Sequence, residues 1–197
     1  LIADLCKKYD VIALSDEVYE HLTYDGRHHV PLATYPGMHE RTITISNITK
    51  TFGMTGWKLG WAIAKPEIIQ RLWAVHRLAI GSCNTPTQEA AIAAVQAPKT
   101  VYEKCTSDYQ SKRDILMAAL HKVNLNPILP QGGNFIISDV RPLGFNDGSF
   151  FCDQLFNATG IATKPVSTQY LRDDFEIGLV RWAVSYTHLT LPTTVSV

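Results

Sequence analysis

The chain has 197 residues, 46% of them hydrophobic, enough for one or two domains with real cores. Its 18 basic and 18 acidic side chains cancel. The absence of a basic excess argues against a nucleic-acid partner, and no apolar run approaches the roughly 20 residues of a membrane span. In chain order, residues 2–9 read as the end of an amphipathic helix. "VIALS" (Val11–Ser15) is a short apolar run, predicted as a buried strand. "TITIS" (Thr42–Ser46) alternates with β-branched residues and predicts a second strand, and "LGWAIA" (Leu59–Ala64) a third. Pro66 opens a helix to about Leu78, at N1 where its missing N–H costs little. "TPTQEAAIAAVQA" begins another helix, with Thr85 as N-cap, Pro86 at N1 and Gln88 at N3 of a capping box; Pro98 ends it. A long helix follows from about Thr100 to Val123, with Val101, Cys105, Tyr109, Leu116 and Leu120 near helical spacing. Beyond Pro127 and Pro130, "NFIISDV" predicts a strand, Ser149–Ala158 a helix and "GLVRWAV" a strand. Cys6, Cys83, Cys105 and Cys152 are scattered, with no C-x-x-C pair and no metal-ligand spacing. They are expected to be free thiols of a reducing compartment, with no metal site.

The order of elements is α/β, and in open α/β sheets ligands gather outside the carboxyl ends of parallel strands. Asp16 follows "VIALS" directly, and Lys50 lies four residues beyond "TITIS". If the strand after Gly56 runs back antiparallel, Lys58 begins it at the same edge. Asp16, Tyr19, Lys50 and Lys58 then converge from different elements. Taken singly, each has an ordinary reading: Asp16 as a loop or cap residue, Tyr19 as a half-buried aromatic, either lysine as solvated surface. Gly56 and Gly60 serve equally as a turn and a close strand contact. Together, an acid, a phenol, an amine and a second cation are what pyridoxal 5'-phosphate requires. The amine forms a Schiff base with the cofactor aldehyde. The carboxylate keeps the pyridine nitrogen protonated, the phenol bonds the ring oxygen, and the cation and hydroxyls hold the phosphate.

"SDEVYEHLTYDG", "TITISNITKTFGMTGWKLGW" and "NTPTQEA" together resemble the class I/II aminotransferases of the aspartate aminotransferase fold. The branch is that of kynurenine–glutamine transaminases, cysteine-conjugate β-lyases and related bacterial enzymes, and the likeness runs from about Leu1 to Ala183. The resemblance implies the C-terminal part of a fold-type I enzyme: a partial mixed sheet of a large domain (1–98), a linking helix (99–123) and a small α+β domain (124–183). It implies that Asp16 pairs with the pyridine nitrogen, Tyr19 bonds the ring hydroxyl, and Lys50 holds the cofactor and shuttles the substrate α-proton. Lys58 stands at the phosphate position where many members carry Arg, and Arg181 would clamp the substrate α-carboxylate. Arg suits that task because its planar fork matches a carboxylate bidentately. The implied partners are an L-amino acid and a 2-oxo acid, and a second copy in a homodimer; the implied location is cytoplasmic. A C–S β-lyase, or an inactive fragment of the same fold, is the alternative reading.

The chain departs from the family in several places. Asn47 stands where the family commonly has Ser for the phosphate; its amide and the Thr49 hydroxyl are the substitutes. Gly81 and Ser82 fall where some relatives place aromatics that reach the neighbouring subunit's substrate pocket, which implies a roomier pocket. The glycine-rich phosphate turn, the aromatic stacked on the ring and the asparagine of the "NPTG" region have no counterpart. The expectation is a C-terminal piece. The resemblance also ends abruptly, at "AVSYTHLTLPTTVSV". Val184–Thr194 is spelled by GTC TCT TAT ACA CAT CTG ACG CTG CCG ACG and a codon starting with A, the transposon-end adapter of sequencing libraries. Ala183 as GCT supplies the adapter's preceding CT. Residues 184–197 are therefore expected to be adapter read-through, against the alternative of a genuine strand in which Tyr186 and His188 alternate.

Overall fold

The computed structural model describes residues 1–170 and 177–184 of the chain. The read-through expectation for 185–197 lies outside the described residues. The chain divides into two compact units, Leu1–Thr106 and Ser107 onward, the division falling within a long helix.

In the first unit, α1 (Ile2–Lys8) buries Ala3 and Cys6, one turn apart, against Met38. Asp4 in its first turn and Lys7 and Lys8 in its last complement the helix dipole. Strands β1 (Ala13–Asp16), β2 (Thr42–Asn47) and β3 (Gly60–Ile63) form a mixed sheet in that order. β1 and β2 are parallel, with Asp16 opposite Ile45. β3 is antiparallel to β2, with Gly60 opposite Asn47, which is the condition on which the convergence of Lys58 depended. Helices α2 (Pro66–Ala79) and α3 (Thr85–Val95) follow, and α4 runs Lys99–Lys122.

The N-cap of α3 differs from expectation. Asn84, not Thr85, caps it: Asn84 Oδ1 accepts from the Thr87 amide at 3.2 Å and the Thr87 hydroxyl at 3.2 Å. Gln88 closes no box with Thr85; its Nε2 donates to the Cys83 carbonyl at 3.0 Å. Asn and Thr are both good caps, and a proline lacking its N–H is harmless anywhere in the first turn, whose amides have no intrahelical partner. The four cysteines are free thiols.

The second unit is an antiparallel sheet of β4 (Pro127–Ile128), β5 (Phe135–Asp139), β7 (Leu179–Ala183) and β6 (Lys164–Pro165), in the order β4-β5-β7-β6. Helix α5 (Gly148–Thr159) starts at Asp147, whose carboxylate accepts from the Ser149 and Phe150 amides. Ile136, Ser138, Val180 and Trp182 alternate inward, and the Trp182 indole donates to Ser138 Oγ at 2.7 Å. This pair satisfies two polar groups that would otherwise be buried alone. The expected α4 stripe holds in part: Leu120 is buried and Tyr109 and Leu116 pack half-buried against the core of this unit, whereas Val101 is exposed and Arg113 and Met117 are buried as well. Arg113 can be buried because it donates to Asp114 and to the Pro130 carbonyl. Val184, the first residue of the stretch read as adapter, is buried, and its amide donates to the Asn134 carbonyl at 2.8 Å.

Gly60 marks the tightest point of the first sheet. A Cβ there would stand 2.7 Å from the Ser46 carbonyl oxygen and 3.0 Å from Asn47 Cβ. Gly60→Ala should therefore destabilise the chain by about 1–3 kcal/mol, the usual cost of overpacking against a fixed neighbour. Gly56→Ala, where a Cβ meets nothing within 4 Å, should stay within about 0.5 kcal/mol of the parent. Urea unfolding of the two variants checks this.

Candidate active site

The carboxyl ends of β1 and β2 emerge side by side because the strands are parallel. Asp16 closes β1, and its Oδ1 accepts from the Val18 amide at 3.3 Å, which orients the carboxylate on an exposed edge. Val18–His21 form the next turn, with Tyr19 in it. Asn47 closes β2; its Oδ1 accepts from the Thr49 amide at 2.9 Å, starting the turn that carries Lys50. The two turns meet where Lys50 Nζ lies 5.8 Å from the centroid of the Tyr19 ring, within the range of a cation–π contact. Lys58 stands just before β3, on the same edge as Asn47, in a left-handed conformation with φ 52. Such a conformation costs a non-glycine residue on the order of 1 kcal/mol and recurs at functional sites. So Asp16, Tyr19, Asn47, Thr49, Lys50 and Lys58 occupy one sheet edge. Gly81 and Ser82 lie in the exposed connection between α2 and α3. Arg181 belongs to the second unit, central in β7, with its guanidinium 4.3 Å from the Phe135 ring centroid.

Residues that sequence reasoning passed over hold this edge in place. Glu17 is buried. Its carboxylate accepts from Ser15 Oγ at 2.9 Å and from the Leu32 amide at 3.0 Å, and lies 2.8 Å from His29 Nε2. Its own amide donates to the Ile45 carbonyl at 2.8 Å. Burial pushes the carboxyl up, but the hydrogen bonds from His29, Leu32 and Ser15 and the charge of His29 outweigh it and hold Glu17 below the ordinary glutamate range. Ser46 is buried on the opposite face from Asn47 and donates to Glu20 Oε1 at 2.6 Å. The one serine beside the expected phosphate position is thus committed elsewhere. The signal for Glu17 and for Glu20, the partner of Ser46, was present in "SDEVYE", where two glutamates flank Tyr19 directly after an apolar run.

The profile of the family described as "Aminotransferase class I and II" matches residues 1–184. The chain belongs to the class I and II aminotransferases. A human relative named kynurenine–oxoglutarate transaminase 3 is 46% identical over 150 residues, covering 73% of this chain and 33% of the relative. The solved N-succinyldiaminopimelate aminotransferase of Mycobacterium tuberculosis superposes with a TM-score of 0.86 at 35% identity, over 93% of this chain and 48% of that one. A double mutant of Thermus thermophilus aspartate aminotransferase gives a TM-score of 0.80 at 31% identity, over 93% and 46%. The mixed α/β architecture is therefore part of the aspartate aminotransferase fold. The chain spans between 33% and 44% of the length of curated relatives that it matches.

The Glu17 anchor has a pH signature. Its value is lowered on folding, so it contributes stability that is present above the unfolded value of about 4.3 and is lost as pH falls through the lower folded value. Glu17→Gln should cost about 1–3 kcal/mol at neutral pH, the scale of disrupting a buried hydrogen-bonded group. The gap between variant and parent should narrow in thermal unfolding below roughly pH 4.

Proposed function

We propose that the whole protein is a pyridoxal-phosphate-dependent aminotransferase that moves an amino group between an L-amino acid and a 2-oxo acid. The observation that carries this reading is the Lys50 amine held against the Tyr19 ring at the edge where Asp16 and Asn47 end their strands, in a chain of that family. The donor set fits the cofactor. Asp16 offers a carboxylate to the ring nitrogen, Tyr19 a phenol to the ring oxygen, and Lys50 an amine to the aldehyde. Asn47 Oδ1 is engaged by Thr49, which leaves the Nδ2 hydrogens as donors to the phosphate, beside the Thr49 hydroxyl and the Lys58 charge. The cofactor, when bound, supplies a carbonyl that takes up the amino group and a protonated ring that draws electrons from the substrate α-carbon.

The chain's own residues have four tasks. Asp16 holds the proton on the ring nitrogen by placing a negative charge beside it. Lys50 accepts and returns the proton at the substrate α-carbon, as a flexible amine on a four-carbon stem is able to do. Tyr19, facing Lys50, restricts where that amine stands. Arg181 binds the α-carboxylate with its two-pronged fork, and stacking on Phe135 limits its rotamers. A homodimer is supported by the family. The free cysteines support a reducing compartment such as the cytoplasm.

The reading is tested on the whole protein, expressed from its complete reading frame. Borohydride reduction followed by peptide mapping should place the pyridoxyl mass on Lys50; label on another lysine refutes the assignment. Asp16→Asn should lower turnover by at least about a hundredfold, the scale of losing one positioned electrostatic group at a reacting centre, with a smaller loss of cofactor affinity. Arg181→Lys should raise the KM of every amino donor; an effect confined to one donor would mean that Arg181 reads side chains instead.

A further inference from the structure

Tyr102 lies in the first turn of α4, far in sequence from both site turns, yet it touches each of them. Its ring is 4.6 Å from the His21 ring, tilted at 57°, and 5.4 Å from the Phe52 ring, edge-on at 75°. Both distances fall in the range of attractive aromatic pairs. His21 is two residues beyond Tyr19, and Phe52 two residues beyond Lys50. The phenol is fixed in turn: it donates towards the Ala94 carbonyl at 3.2 Å and the Val95 carbonyl at 3.3 Å, at the C-terminal end of α3, where carbonyls lack intrahelical partners. One helical turn on, Thr106 Oγ1 donates to the His21 carbonyl at 2.6 Å. The Tyr19 turn is thereby held at two points on one helix face, and Phe52 of the Lys50 turn packs edge-on with the same ring.

We infer that Tyr102 is a positioning residue: its ring is the spacer that sets the distance between the Lys50 turn and the Tyr19 turn, and so holds the Lys50 amine against the Tyr19 face. For the use made of Lys50 the inference rests on the function proposed above, but the geometry it asserts does not. A side chain that only capped α3 would act through its hydroxyl. A spacer acts through its ring. Tyr102→Phe and Tyr102→Ala therefore separate the two roles.

The test is competitive labelling of the whole protein, expressed from its complete reading frame and freed of cofactor, with acetic anhydride at neutral pH, each lysine being quantified by mass spectrometry. In Tyr102→Ala, Lys50 should label about threefold faster than in the parent, the equilibrium worth of one exposed cation–π contact. Lys58 and Lys7 should be unchanged, because neither touches the spacer. Tyr102→Phe should restore the parent rate at Lys50. Thr106→Ala, which keeps the ring and removes only the His21 tether, should raise Lys50 labelling in the same direction by less, and serves if Tyr102→Ala does not fold. An unchanged Lys50 rate in both alanine variants overturns the inference, as does an equal rise at Lys50, Lys58 and Lys7, which would mean general loosening. If the aminotransferase reading were wrong, the parent would trap no pyridoxyl group on Lys50, while the anhydride pattern would still hold.

Discussion

Parallel pairing of β1 with β2, in the register that sets Asp16 beside Ile45, is the constraint on which the site rests. A parallel pair brings two carboxyl ends to one edge, and everything chemical in the first unit is built on that edge. Side chains along a strand alternate, so a slip of one residue exchanges the faces. Ser46 would then come to the edge and Asn47 would turn inward. The donors of Asn47 would be lost to the site, and the Glu20 carboxylate would lose the hydroxyl it accepts from. The register is held from both sides: the Glu17 amide extends the β1–β2 ladder by one further bond to Ile45, and Gly60 lets β3 approach Ser46 more closely than any other residue would.

The anchors and the reactive groups divide along burial. Glu17 and Ser46 are buried, whereas Asp16 and Lys58 are exposed and Tyr19, Asn47 and Lys50 are half-buried. A buried carboxylate is costly unless its oxygens are satisfied, and Glu17 meets that condition with a hydroxyl, a backbone amide and an imidazole. Those bonds tie the turn after β1 to the segment at His29–Leu32, so the desolvation cost of one glutamate is offset by fixing the position of its neighbour Asp16.

Much of this edge was legible in the sequence. The alternation of "TITIS" and the apolar run before Asp16 located the strands, each to within two residues, but β1 is not the buried strand expected, since Leu14 is exposed and Ala13 and Ser15 are half-buried. The turn at Gly56 indicated a return strand, and the position of Lys50 after a strand made it a candidate. Features built on long-range contacts were not legible. The Thr106–His21 hydrogen bond joins residues 85 apart, and no local pattern in the first turn of α4 marks Tyr102 as anything but a polar aromatic. β4 and β6 have two residues each, too few to show a period of two. The α3 cap was misplaced because Asn84 and Thr85 are both competent caps, and only backbone geometry chooses between them. Arg113 lies outside any apolar stripe, because its burial depends on Asp114 and on a carbonyl 17 residues away.

The support of the site therefore differs in kind from its chemistry. The reactive groups are short-range features: each sits within a few residues of a strand end, and its identity follows from the reaction. The supports are long-range: Glu17 reaches the segment at His29–Leu32, Ser46 reaches the turn after β1, and Tyr102 reaches both turns from a helix that begins after them. Substituting a reactive group removes a function and leaves the frame. Substituting a support leaves every reactive group present and shifts its place, and a displacement of about 1 Å at a reacting centre is enough to cost about a hundredfold in rate. Pairing fixes where the two turns leave the sheet, and the Tyr102 ring against His21 and Phe52 sets how far apart they then stand, so the geometry of the amine depends on packing as well as on the ladder of the sheet.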